Sequence, residues 1–168
     1  MTGAGRSLVI GIGNRDRGDD AAGPAVCDLL TRGAAGETVG DPIDVIVAEG
    51  SIVDLSAHWA VSDHVTIVDA SEPTGRPGKI VETDALACRL RSPGTISTHS
   101  IDVGAAIELS RVLGHLPAEL TVIGIEGQDF EFDAPMSDAV RRATELVASR
   151  IIQRATSPTG HVSFDGAS

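Results

Sequence analysis

The sequence predicts an α/β protein whose twisted sheet is mainly parallel and carries helices on both faces. Short apolar runs typical of buried strands alternate along the chain with segments of helical periodicity. The strand candidates are apolar throughout, as expected for a parallel sheet that is covered on both faces. No internal repeat and no interdomain linker interrupts this pattern. We therefore expect one domain over residues 1–155, followed by a flexible polar tail at 156–168.

Five segments have the composition of strands. Residues 7–12 form a short apolar run that Gly13 and Asn14 stop, and residues 64–69 form a similar run that ends at Asp69. The other candidates are residues 43–48, residues 119–125 and a short edge strand at 79–83. In an open α/β sheet, ligands bind beyond the carboxyl ends of such strands.

Three segments have the periodicity of amphipathic helices, and a shorter helical stretch is expected at 51–59. Each of the three has an apolar stripe that should face the sheet. The stripes are Ala22, Val26, Leu29 and Leu30 in a helix at 21–32, then Ile101, Ala105, Leu109 and Val112 in a helix at 101–113, and finally Val140, Ala143, Val147 and Ile151 in the last helix.

Composition and charge narrow the classes of function. No apolar run among the 168 residues is long enough to cross a bilayer, and residues 7–12 are too short for a signal peptide. The net charge of −11 argues against a nucleic-acid partner, because phosphates are bound mainly by Lys and Arg. Cys27 and Cys88 form no C-x-x-C pair and are interpreted as small core residues. These features predict a cytoplasmic protein with neither nucleic acid nor membrane as partner.

Two carboxylates and one imidazole are expected at the carboxyl edge of the sheet. Asp20 ends the loop after the first strand, Asp69 ends the third strand, and His99 immediately precedes the helix at 101–113. Oxygen and imidazole ligands without sulfur suit a divalent metal such as nickel or zinc. Glu126, after the last strand, is interpreted as a bystander at this edge.

Each candidate also has an ordinary structural explanation. Asp20 fits a helix cap, Asp69 a turn-forming aspartate, and His99 a surface or capping residue. Asp19, which precedes Asp20, is interpreted as a plain helix-start acid. Residue types and spacing therefore lead to a divalent-metal site in an α/β crevice, and they do not by themselves name the reaction.

The glycine-containing loop after the first strand lacks the common phosphate-binding motifs. A dinucleotide fingerprint starting at Gly11 and Gly13 would have Asp16 in place of its third glycine. A P-loop in the same place would have Asp19 and Asp20 where Lys and Ser or Thr are required, and two carboxylates would repel a phosphate. The hydrolase motifs H-E-x-x-H and G-x-S-x-G are also missing from the sequence. The loop therefore favours a cation.

Three ordered motifs resemble those of the hydrogenase maturation proteases. Residues 11–24 (GIGNRDRGDDAAGP) resemble the opening motif of that family, which has a strand, G-x-G-N, a short loop and an acidic pair. Residues 68–70 (VDA) match its second motif, and residues 97–99 (STH) its third. Residues 124–127 (GIEG) resemble a strand end in one branch of the family. The resemblance extends over residues 7–150, nearly the whole expected domain.

The resemblance implies an endopeptidase that removes a C-terminal extension from the large-subunit precursor of a nickel-iron hydrogenase after nickel insertion. The family's metal-contacting positions, which are also assigned to catalysis, fall on Asp20, Asp69 and His99. The resemblance further implies that the nickel belongs to the substrate and is not bound permanently by the enzyme. A three-layer sandwich of the phosphorylase/hydrolase type is the fold that it implies.

The sequence departs from the family pattern after the second strand. Many relatives have Asp-Gly-Gly there, whereas this chain has Glu49 followed by Gly50 and Ser51. Two other functions stay open, namely a nickel-binding chaperone that cuts nothing and a nucleotide-binding α/β module. The chaperone stays open because no nucleophile is identifiable, and a metal-activated water and a carboxylate base are both compatible with the residues.

Overall fold

Strands and helices alternate along the chain, in the order that the sequence predicts. The computed structural model describes residues 5–34, 42–48, 56–59, 62–87 and 98–156, without the side chains of 34, 56, 57 and 98–102. The strands are β1 (Ser7–Ile12), β2 (Ile43–Ala48), β3 (His64–Ser71), β4 (Ile80–Asp84) and β5 (Glu119–Glu126). The helices are α1 (Ala22–Ala34), α2 (Ser56–Trp59), α3 (Thr98–Leu113) and α4 (Asp138–Thr156), and a 3-10 turn (Gly18–Ala21) precedes α1.

The described strands form one sheet in the order β2-β1-β3-β5-β4. All neighbours pair in parallel except β4, which is antiparallel to β5 at the edge. The prediction of a mainly parallel sheet with helices is therefore confirmed. The last pair between β1 and β3 joins Gly11 and Val68, whereas β3 and β5 stay paired up to Ser71 and Glu126. Asp69 consequently lies one residue beyond the last pair with β1.

Two apolar cores lie on opposite faces of the sheet. On one face, which we call the α1–α4 face, strand residues such as Val9 and Val68 pack with α1 and α4. On the other, the α3 face, residues such as Val65 and Ile67 pack with α2 and α3. Because side chains alternate along a strand, Asp69 has the same parity as Val65 and Ile67 and belongs to the α3 face.

The predicted stripes of the helices on the α1–α4 face are confirmed. Seven of the eight stripe residues are buried, namely Ala22, Val26, Leu30, Val140, Ala143, Val147 and Ile151. The eighth, Leu29, is partly buried and packs against the same core. Residues 157–168, which make up nearly all of the predicted tail, lie outside the described residues. Within the part of the chain that is described, no helix is long and apolar enough to cross a membrane.

The predicted stripe of α3 is wrong. Leu109 is 39% exposed and Val112 is 83% exposed, whereas Ile107 is only 3% exposed and faces the core. The indole N–H of Trp59 in α2 donates to the Ser110 hydroxyl at 2.8 Å, with both residues fully buried. Because α3 has apolar residues on several sides, this contact and the fit to the sheet decide its rotation.

The direction of α3 follows from its short connection to β5. Residues 114–118 join the end of α3 to the start of β5, so the helix ends at the amino edge of the sheet. Val103 and Ile107 pack on the sheet core, so α3 extends back along the strands. Its 16 residues span about 24 Å, close to the length of β5. The first turn of α3 therefore lies toward the carboxyl edge.

Candidate functional site

Two glycines allow the loop between β1 and α1 to pack closely against the ends of the strands. Gly13 has a φ of 139°, and a Cβ there would overlap the Asp20 carbonyl oxygen. A Cβ on Gly23 would overlap backbone atoms of Ile12 and Val68. This close packing places the 3-10 turn that carries Asp20 beside the carboxyl ends of β1 and β3.

The loop itself orients the Asp20 carboxylate. Asp20 is 8% exposed, and its Oδ2 accepts the N–H of Asn14 at 3.0 Å. The Asn14 side chain in turn accepts the N–H of Asp16 at 2.8 Å. The hydrogen bond that Asp20 accepts comes from Asn14, which precedes it in the sequence, and not from α1. It therefore differs from the bond that a helix-capping residue would accept from its own helix.

An ion pair fastens the same loop to α1. Both terminal nitrogens of Arg15 donate to the Asp28 carboxylate, at 2.6 and 2.9 Å. The hydrogen bond from Arg15 holds the pKa of Asp28 below its usual range. Because both side chains are more than a third exposed, the pair contributes little to stability, about 0–1 kcal/mol.

Asp69 lies at the same edge as Asp20. It is 5% exposed and stands opposite Gly124 of β5. The backbone of its neighbour Val68 touches Gly23, and β3 contacts the 3-10 turn. The structure thus brings two largely buried carboxylates to the carboxyl ends of neighbouring strands.

His99 is the second residue of α3, in the helical turn that lies toward this edge. Its side chain is outside the described residues, so its position relative to the two carboxylates stays a prediction. Among the described side chains, no three His, Cys, Asp or Glu residues converge as a possible metal centre. The assignment of Asp20, Asp69 and His99 to metal contact and catalysis therefore also stays a prediction.

Asp19 is a buried residue that connects two loops, and it is not a plain helix-start acid. It is fully buried, and its carboxylate accepts four hydrogen bonds from the loop 127–137. The donors are the N–H of Gln128 at 2.7 Å, the N–H of Asp129 at 3.1 Å, and the N–H and hydroxyl of Ser137 at 2.7 and 3.0 Å. No local sequence signal predicts this role, because the hydrogen-bond partners of Asp19 lie more than 100 positions further along the chain.

Glu126 also supports a loop and is not a bystander. Its carboxylate is buried and accepts the N–H and hydroxyl of Thr74, at 2.6 and 2.7 Å, and the N–H of Arg76 at 2.6 Å. Burial alone would raise the pKa of Glu126, but these hydrogen bonds and the nearby Arg76 charge outweigh it and lower the pKa. Glu126 therefore fastens the segment between β3 and β4.

The prediction that Cys27 is a core residue is confirmed. Its side chain is 1% exposed in the core of the α1–α4 face. Burial raises the pKa of the Cys27 thiol to about 11. Cys88 and Glu49 lie outside the described residues. The interpretations of Cys88 as a core residue and of Glu49 as a departure from the family pattern therefore stay predictions.

The sheet topology and the acidic residues at the carboxyl ends of the strands together indicate what type of protein this is. It is an open, mainly parallel α/β protein with largely buried carboxylates at the ends of two neighbouring strands, at the edge where sheets of this kind bind ligands. The family model described as hydrogenase maturation protease matches residues 44–154, and the chain belongs to this family. The matched region contains Asp69 and His99, and it begins after the loop that carries Asp20. The predicted family is thereby confirmed.

Solved structures share the fold over most of the chain. The maturation protease HycI from Thermococcus kodakarensis KOD1 is 26% identical, with a TM-score of 0.65 over 90% of this chain and 93% of that one. HybD from Thermococcus kodakarensis is 20% identical, with a TM-score of 0.70 over 89% of this chain and 99% of that one. The maturating endopeptidase HybD from E. coli is 22% identical, with a TM-score of 0.70 over 87% and 89%. The two HybD structures support the fold alone, and no curated protein matches the sequence.

Proposed function

We propose that this protein removes the C-terminal extension from the large-subunit precursor of a nickel-iron hydrogenase after nickel has been inserted. Membership of the hydrogenase maturation protease family supports a peptidase. The single observation that carries the proposal is the pair of largely buried carboxylates, Asp20 and Asp69, at the ends of neighbouring strands. This edge is where open α/β sheets bind their ligands.

In this proposal the substrate's nickel is recognised by Asp20, Asp69 and His99. Two carboxylates and an imidazole form a donor set that a borderline divalent metal accepts. Both carboxylates are more than 90% buried, so a cation at the crevice interacts with them more strongly than it would in bulk water. The first turn of α3 lies toward the same edge, which supports a contribution from His99.

The metal contact provides selectivity for loaded precursor. An open crevice with three ligands and no thiolate holds a free ion weakly, so the purified protein should carry little tightly bound nickel or zinc. Contacts with the precursor's tail alone dock it too weakly for cleavage. Nickel in the precursor adds the difference in affinity that separates loaded from unloaded substrate.

The test compares nickel-loaded and metal-free large-subunit precursor mixed with the purified enzyme. The size shift caused by loss of the C-terminal extension is followed by electrophoresis and intact mass. We expect cutting of the loaded precursor only, even at high enzyme concentration. Equal cutting of both forms would contradict nickel recognition and leave the peptidase assignment standing. Binding of the loaded precursor without any cutting would favour the nickel chaperone.

A further inference from the structure

One buried residue, Asp19, connects the loop after β1 to the loop 127–137 by hydrogen bonds. The 3-10 turn that carries Asp19 and Asp20 has only four residues, too few for a hydrogen-bond ladder that would hold it by itself. Asp19 is 0% exposed, and four donors from the loop 127–137 converge on its carboxylate. Hydrogen bonds to a charged acceptor are the stronger kind, so this contact restrains the turn more than a neutral one would.

Backbone contacts join the same two loops on either side of Asp19. The N–H of Asp19 donates to the Asp129 carbonyl at 2.8 Å, and the N–H of Asp133 donates to the Asp16 carbonyl at 2.7 Å. A Cβ on Gly18 would overlap the Asp129 carbonyl oxygen. The loop 127–137 and the turn before α1 are therefore packed as one unit.

We propose that Asp19 is a positioning residue that holds the neighbouring Asp20 carboxylate where it contacts the substrate's nickel. The proposal rests on the proposed function for the role of Asp20, and on the described contacts for the role of Asp19. Successive Cα atoms are about 3.8 Å apart, so a displaced turn displaces Asp20 with it. The N–H of Asn14 donates a hydrogen bond to the Asp20 carboxylate. A change at the Asn14 amide therefore reports a change in the position of that carboxylate.

All four described hydrogen-bond partners of the Asp19 carboxylate are donors. A carboxylate accepts only, whereas an amide of the same shape would turn an NH2 group toward at least one N–H or O–H. Asp19→Asn therefore loosens the turn with little change in volume. Ser137→Ala is a milder variant that removes one of the four donors and leaves the carboxylate in place.

Glu126→Gln is the matched control. Glu126 is buried like Asp19 and accepts three hydrogen bonds from the segment between β3 and β4. Glu126 therefore makes a comparable set of hydrogen bonds at the same edge of the sheet. Its described side-chain partners do not include the 3-10 turn that carries Asp20. A general loss of stability should appear in both variants, whereas a displaced Asp20 should appear only in Asp19→Asn.

The first measurement follows the Asn14 amide by NMR in the full-length, 15N-labelled protein. We expect a shifted Asn14 signal and at least about tenfold faster hydrogen exchange in Asp19→Asn. Ser137→Ala should give a smaller change in the same direction, and Glu126→Gln should give none. An unchanged Asn14 amide in folded Asp19→Asn overturns the proposal. If Asp19→Asn does not fold, an unchanged Asn14 amide in Ser137→Ala overturns it.

The second measurement is the cleavage of nickel-loaded precursor under saturating and limiting substrate. We expect Asp19→Asn to lower processing by about tenfold or more, and Glu126→Gln to stay within about twofold of wild type. A moved Asn14 amide with unchanged processing overturns the positioning role. If the wild-type protein cuts no precursor, the proposed function fails, while the Asn14 amide still decides whether Asp19 positions Asp20.

Discussion

The two faces of the sheet differ in how their helices are held and in what they carry. On the α1–α4 face, two long helices pack on the sheet and on each other, and their predicted stripes are buried. On the α3 face, α3 turns Leu109 and Val112 outward, and the same face receives Asp69. Periodicity therefore predicts the orientation of a helix with one apolar stripe, and it fails for a helix that is apolar on several sides.

The faces also differ at the carboxyl edge. Above the α1–α4 face, the start of α1 is pressed so closely against β1 and β3 that only glycine fits at Gly23. Toward the α3 face, the edge combines Asp69 with the first turn of α3. We therefore expect substitutions at the α3-face edge to change activity first, and substitutions in either core to change stability first.

The largest effect is expected for Asp69→Asn. Asn keeps the volume of the side chain but lacks its negative charge, so processing of nickel-loaded precursor should fall by at least about 100-fold, the order seen when a group at a reacting centre is lost. The thermal unfolding midpoint should stay near that of wild type. The readout is the size shift of the precursor, beside circular dichroism of the free enzyme.

Glu119→Gln is the control for that variant, because it removes a carboxylate at the opposite, amino edge of the sheet. Its processing rate should match wild type. If Asp69→Asn cuts as well as Glu119→Gln, the site assignment is wrong. If Asp69→Asn yields only unfolded protein, Asp69 has a structural role instead.

The rotation of α3 predicts an intermediate effect on stability. Ile107 is 3% exposed, so Ile107→Ala should lower the free energy of unfolding by about 2–5 kcal/mol. Val112 is 83% exposed, so Val112→Ala should change it by no more than about 0.5 kcal/mol. Urea titration of both variants measures the difference. Equal losses would contradict the orientation of α3 and restore the stripe that periodicity predicts.

The last prediction concerns the Cys27 thiol, which is buried in the core of the α1–α4 face. The pKa of Cys27 is raised from 9.0 to about 11, so at pH 8 its reactive thiolate fraction is about 100-fold below that of an unperturbed thiol. In a Cys88→Ala background, alkylation of the folded protein should be slowed by about that factor or more. Mass spectrometry at pH 8, with and without denaturant, measures it. Rapid alkylation of the native protein would show that this core opens readily.

Local sequence was enough for most of the fold. The bounds of β1 and β2 agree with the predicted runs at 7–12 and 43–48, because apolar stretches bounded by turn residues carry a strong local signal. The single apolar stripes of α1 and α4 likewise predicted their buried faces. The order of the motifs predicted the family, and the ends of the strands predicted the edge that carries Asp20 and Asp69.

The alternation of strands and helices, the apolar faces of α1 and α4, and the acidic residues that follow the strands can all be predicted from local sequence. The rotation of α3 depends on its packing against Trp59 and the sheet, and no local pattern predicts it. The tertiary structure also shows that Asp19 and Glu126 support loops, whereas Asp20 and Asp69 lie at the carboxyl ends of the neighbouring strands β1 and β3. A carboxylate's role depends on the donors that surround it, and for Glu126 and Asp19 those donors come from residues about 50 and more than 100 positions away, which local sequence does not reveal.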